Sequence, residues 1–155
     1  MSLSPSPRHI LLSVAPLALA AALLSACANP SQPPLDEHRA IWTQKSLGNY
    51  TYKFNWSCFC SPDYTASVQI KVQAGKIVEI TDAMTGAKLD AARFKDFRTI
   101  DGLFDFIQEA INRNAESIQV TYDATNAYPT SVSIDYIKQA VDEEMAFKAS
   151  DLKAM

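Results

Sequence analysis

The chain has 155 residues, 48% hydrophobic and 20% charged, with a net charge of −3. An acidic balance without a basic cluster leaves no electrostatic footprint for nucleic acid. Its four glycines form no phosphate-cradling loop and no serine sits in a GxSxG elbow, so nucleotide-loop and α/β-hydrolase chemistry are disfavoured.

The first ten residues, MSLSPSPRHI, carry one firm positive charge, Arg8. Ile10–Leu24 is apolar apart from Ser13 and is broken only by Pro16. That run falls short of the roughly 20 residues of a comfortable transmembrane helix and has the form of an export signal. It ends in Leu24-Ser25-Ala26-Cys27, which resembles the bacterial lipobox. The resemblance implies cleavage after residue 26 and a lipid on the Cys27 thiol. An ordinary secretory signal is the alternative. The expected location is extracytoplasmic, with the membrane as first partner through the Cys27 lipid. Ala28 in place of Asp implies, by the same resemblance, the periplasmic side of the outer membrane in a diderm host. Residues 27–35, with three prolines in ANPSQPPL, read as a tether. At about 3.1 Å per residue, such a segment spans roughly 25 Å. Removal of residues 1–26 leaves 129 residues and a charge of −4, enough for one domain over 36–155 with its own core.

Asp36–Gly48 has helical spacing, with Asp36 as cap, Gly48 as stop, and Ile41, Trp42 and Leu47 as the apolar stripe. The period then falls to two. Tyr50, Tyr52, Phe54, Trp56, Cys58 and Cys60 share one face of a predicted strand, and Thr51, Lys53, Asn55 and Ser57 share the other. A second strand is predicted over Tyr64–Val72. Ala74-Gly75 then turns it into a third at Lys76–Thr81. The pattern weakens from Asp82 to Arg98, with a short helix over Asp90–Phe97 burying Phe94 and Phe97. Thr99 caps the clearest helix, TIDGLFDFIQEAINRN, where Ile100, Leu103, Phe104, Ile107 and Ile111 line one face. Asp101 and Asp105 favour its positive end. Three further strands alternate through Ile118–Tyr122, Val132–Tyr136 and Met145–Ser150. The expected fold is therefore α+β, with two αβββ-like units. About six mainly antiparallel strands form one sheet, with the helices packed on one face.

With these residues laid out, the chain resembles small bacterial lipoproteins of the domain-of-unknown-function 6174 family. The resemblance rests on SCFCSP, VQAGKIVEI, TIDGLFDFI, VTYDATNAYPTSVSIDY and VDEEMAFKASDL, which span most of residues 41–152. Members often have Pro at the place of Ala124 and Gly at the place of Ala127, so the turn before Tyr128-Pro129 is a point of departure. The resemblance implies the architecture and a shared surface near the cysteines and YPTSVSID. It implies no activity.

Cys58 and Cys60 leave four readings open. On an extended strand their Cα atoms would lie about 6.6 Å apart, near the upper limit for a disulfide of about 6.8 Å. A bend at Phe59 would shorten that distance. The exported compartment is oxidising, and Cys27 is committed to lipid, so a local Cys58–Cys60 disulfide is the expected state. The alternatives are two packing thiols, a metal site drawing on His38, and a redox pair. No CxxC stands at a helix N-terminus to support redox chemistry.

Tyr128, Pro129, Asp135, Asp142 and Glu143 are the expected binding surface; Tyr128-Pro129 is expected to fix a strand entrance, with a cis bond as the alternative. Asp123, Asp135, Asp142, Glu143 and Glu144 form a weaker calcium reading without a DxDxDG loop. No cofactor, metal or catalytic residue is expected. The chain reads as a lipid-anchored cell-envelope module that acts by contact with a protein or small ligand. Thiol-disulfide or metal chemistry at the CxC pair is the rival reading.

Overall fold

A computed structural model of the chain describes residues 34–137 and 144–155. Cys27 and the tether before residue 34 lie outside the described residues, as do Asp142 and Glu143 of the expected surface. The element order is α1 (Leu35–Gln44), β1 (Tyr50–Ser57), α2 (Pro62–Thr65), β2 (Val68–Gln73), β3 (Lys76–Asp82), a 3-10 helix (Ala91–Asp96), α3 (Ile100–Asn112), β4 (Ser117–Tyr122), β5 (Pro129–Asp135) and β6 (Met145–Ala154).

The six strands form one sheet in the order β3-β2-β1-β6-β5-β4, and every neighbouring pair is antiparallel. The expected α+β class and the two αβββ units are both present. The units meet unequally, however. The first strand of one, β1, pairs with the last strand of the other, β6. The long β1–β6 pairing makes two meanders one sheet.

Period-two alternation dictates the inner face. Tyr50, Tyr52, Phe54 and Trp56 of β1 are all buried, while Thr51, Lys53 and Asn55 between them are half-exposed. Adjacent rings along β1 stand 6.0, 6.3 and 5.0 Å apart, within the range of favourable aromatic pairs. Val68, Ile70 and Val72 extend this face on one side, and Phe147, Ala149, Val132 and Ile134 extend it on the other. The two long helices cover it. Helix α3 contributes Ile100, Leu103, Phe104, Phe106, Ile107 and Ala110, and α1 contributes Leu35 and Trp42. The opposite face is polar and open, with Lys53 paired to Asp151 at 2.8 Å.

Several boundaries differ from expectation. Helix α1 begins at Leu35, after Pro34, so Asp36 sits in its first turn and does not cap it. It ends at Gln44, because Lys45 and Ser46 bond back to Trp42 and Thr43 and Ser46 takes φ 49°. Gly48 therefore lies beyond the helix, and Ile41 is exposed. Strand β2 starts only at Val68, since Pro62 nucleates the one-turn helix α2 over Tyr64. Asp90 caps the 3-10 helix by accepting from the Ala92 amide at 2.8 Å. Thr99 caps α3 as expected, its hydroxyl accepting from the Gly102 amide at 3.1 Å. Strand β6 runs on to Ala154 through a left-handed Asp151, φ 54°, which interrupts the alternation after Ser150.

Candidate functional site at the end of β1

The cysteines leave the strand they were expected to end. Strand β1 stops at Ser57, and the Cys60 amide donates to the Cys58 carbonyl at 2.8 Å. This three-residue turn brings the two Cα atoms to 5.2 Å, well inside the limit for bridging, and the sulfurs stand 1.98 Å apart, at bonding distance. The bend at Phe59 is thus the decisive local feature. It turns Phe59 out of the fold, leaving the residue 90% exposed.

Two structures buttress the turn. The Tyr64 amide closes back on the Ser61 carbonyl at 2.9 Å and starts α2. Arg93, from the 3-10 helix, lies over the Tyr64 ring at 5.2 Å and donates to the Asp63 carbonyl at 2.9 Å. Below them the Trp56 indole N–H donates to the Asp96 carbonyl at 3.0 Å. A cleft of about 250 Å³ remains between Trp56, Tyr64, Met145 and the cysteine pair on one side and Lys95, Asp96 and Arg98 on the other. Neither Lys95 nor Arg98 forms an ion pair among the described residues. The Arg98 guanidinium lies over the Phe106 ring at 5.2 Å.

Two buried hydroxyls from β1 hold the segment that carries Arg98. Tyr52 donates to the Arg98 carbonyl, and the Ile100 amide donates to the Tyr50 hydroxyl at 2.9 Å. Burial pushes the Tyr50 phenol up to about 12 and the Tyr52 phenol well above its ordinary value, so both stay protonated.

The sheet register puts further apolar tips at this end. Ser57 pairs with Ala146, Val68 with Asp82, and Ser117 with Asp135. Met84, two residues past β3, is 94% exposed, and Ile137, two past β5, is 49% exposed. Tyr64 is 39% exposed. Asp82 fixes the Met84 turn by accepting from the Met84 and Thr85 amides at 3.0 and 2.7 Å. Those bonds, with the Thr85 hydroxyl, hold its carboxyl below the ordinary range.

Two residues of the expected surface are not exposed. Tyr128 and Pro129 are buried, and Tyr128 packs edge-on against Trp42, 6.4 Å between rings. The reason is that β5 starts at Pro129, a strand entrance that the α1 cover closes. The Tyr128-Pro129 bond is trans. Asp135 accepts from the Ile137 amide at 3.0 Å and so caps its own turn. Asp123 accepts from the Thr125 and Asn126 amides at 3.1 and 2.6 Å. Both carboxylates therefore serve their own loops. Among the described residues no group of three or more His, Cys, Asp or Glu is placed to hold a metal ion. His38 stacks on Tyr122 at 3.7 Å, and that ring lies on the edge strand β4 and not at the cysteines.

Sequence reasoning missed Lys95, Arg98 and Met84 as site residues. Only the tertiary fold brings the 3-10 segment beside the cysteines. A model of a family of unknown function, DUF6174, matches residues 34–154. The chain belongs to the DUF6174 family. Its matched span begins at the first described residue and ends one residue short of the chain's end. The matched span holds all six strands and both covering helices. No curated protein and no solved structure matches the chain.

Proposed function

We propose that this DUF6174 protein is a lipid-anchored cell-envelope lipoprotein that acts by contact and not by catalysis. Cys27 carries the lipid, the proline-rich tether follows, and the end of the sheet around Cys58–Cys60 is the contact surface. One observation carries the reading of the surface. Phe59 is an almost fully exposed aromatic residue held on a turn tied on both flanks. Large apolar side chains on rigid tips gain from binding without the entropy loss that a mobile loop would suffer. Met84, Tyr64 and Ile137 at the same end widen the apolar area. The leader and lipobox support the location.

The rival reading, thiol-disulfide chemistry at the CxC pair, has the proximity of the sulfurs in its favour. It lacks a third thiol among the described residues, and the helix that begins just after Cys60, α2, is a single turn. A photoreactive side chain at Met84 in the full-length protein, irradiated in membranes, separates the readings. A discrete adduct is expected that Phe59→Ser abolishes and that Cys58→Ser/Cys60→Ser leaves in place. An adduct indifferent to Phe59→Ser, or dependent on the cysteines alone, would sink the contact reading.

A further inference from the structure

We propose that the open edge of β4 is an interface between two copies of this chain, joined as antiparallel strands about a two-fold axis at Gln119. This inference does not depend on the role of the Cys58 end.

The two edges of the sheet are unequal. At the β3 edge the chain folds back on itself. The Leu89 amide donates to Ile80 at 2.9 Å, the Asp82 amide donates to Ala87 at 2.8 Å, and Lys88 pairs with Glu79. That edge is covered and charged, as edges that resist pairing are. At the other edge β4, SIQVTY, has no charge and no proline, and among the described residues no strand lies beside its outer row. Its inward side chains, Ile118, Val120 and Tyr122, remain only half-buried, whereas the central strands bury theirs.

Unpartnered polar atoms gather at the same place. Five buried side-chain atoms lack a hydrogen-bond partner among the described residues, and four of them belong to His38, Arg39 and Tyr122. His38 stacks on the Tyr122 ring, and Arg39 lies over Phe104, which stacks on Tyr122 in turn. Arg39 gives Nη1 to Asp105 at 2.9 Å. Its Nε and Nη2 are left, the fork that takes a carboxylate through two parallel bonds. Buried polar groups are normally satisfied, so this cluster calls for an acceptor.

The chain itself carries one. Glu116 is exposed just before β4 and forms no ion pair among the described residues. Antiparallel self-pairing centred on Gln119 sets Glu116 opposite Tyr122, Ser117 opposite Thr121, and Ile118 opposite Val120. Every pair joins residues of the same face, so both apolar rows stay on the helix side. Hydroxyl, β-branched and amide residues meet their like, and no like charges face each other. The two-fold then delivers a Glu116 carboxylate to the His38–Arg39–Tyr122 end of each copy. An edge pairing of this kind is isologous and closes after two subunits.

The test uses the full-length chain in membranes and in detergent. Gln119→Cys is expected to form a disulfide-linked dimer under mild oxidation, whereas Val78→Cys on the covered β3 edge is not. Adding Glu116→Lys to the Gln119→Cys chain should lower the dimer yield at least several-fold, while its melting as a monomer stays unchanged. The unaltered chain should sediment as a dimer in detergent, which guards against a misfolded variant. A monomeric unaltered chain, equal cross-linking from both edges, or indifference to Glu116→Lys would each overturn the proposal. So would a Gln119→Cys cross-link to a different protein in place of the second copy.

Discussion

Replacing Tyr52 or Tyr50 with Phe removes one hydroxyl from a fully buried ring and leaves the ring itself in place. The Tyr52 hydroxyl is the donor to the Arg98 carbonyl, and the Tyr50 hydroxyl accepts from the Ile100 amide. Each change leaves a backbone group without its partner at the entry to α3. An unsatisfied buried group costs about 1–3 kcal/mol, more than the roughly 1 kcal/mol net value of an ordinary hydrogen bond. The two sites adjoin the same short segment, so their losses should couple and fall short of additive. The double variant is expected to lose about 2–5 kcal/mol of a total on the order of 5–15 kcal/mol. Tyr64→Phe is the control, because that ring is partly exposed and its hydroxyl makes no hydrogen bond to a described residue. Urea titration followed by tryptophan fluorescence reads the loss directly, and each kcal/mol should lower the melting temperature by roughly 3–5 °C. A double variant within about 0.5 kcal/mol of the parent would refute the view that β1 hydroxyls fix the Arg98 segment, as would a Tyr64→Phe loss of equal size.

Three further outcomes follow from the same geometry. Burial raises the Tyr50 phenol to about 12 and the Tyr52 phenol well above its ordinary value, near 10. The neutral forms therefore stabilise the fold fully below about pH 10, and that stability drains away as the pH rises from 10 through the folded values. The tyrosinate absorbance of Tyr50 and Tyr52 should appear together with loss of the fold, and its appearance near pH 10 in a chain that stays folded would contradict this. Ala74 sits at φ 48° beside Gly75 at φ 72°, so Ala74→Asn should stabilise the β2–β3 hairpin by about 0.5–1 kcal/mol, and a lower melting temperature would count against the assigned turn. Cys58→Ser/Cys60→Ser closes no ring in the unfolded chain, and so small a loop contributes only about 1–2 kcal/mol. The variant should fold with an unchanged far-ultraviolet spectrum, and failure to fold would make the pair structural in a way its position does not explain.

The strands were legible because their alternation is strict. Tyr50 to Trp56, Val68 to Val72 and Val132 to Ile134 each read as one buried row, and each is one. The α3 cap was legible too, since Thr99 has the chemistry and the position. Illegibility began where local chemistry and tertiary placement part. Cys58 and Cys60 continue the alternation in sequence, yet the backbone bends between them and the face assignment ends. Tyr128-Pro129 has the composition of a surface loop, but α1 closes over it, and only the contact with Trp42 reveals that. Ala127 takes φ 61°, a left-handed position that favours glycine, and nothing in the alternation announces that turn. Lys95 and Arg98 lie in a stretch without periodicity, and nothing before the fold links them to a cysteine some forty residues earlier. The unequal edges were equally illegible, because the chain that folds back on β3 through Ala87 and Leu89 lies in the same aperiodic stretch.

The most direct test of the account is the intact mass of the protein recovered from membranes, with thiol alkylation before and after reduction. The chain should start at residue 27, carry the mass of lipid on Cys27, take up no alkylating agent before reduction and take up two equivalents after it. A chain that retains Met1 and lacks lipid would contradict the anchored, exported module. Two thiols reactive from the start would contradict the Cys58–Cys60 disulfide.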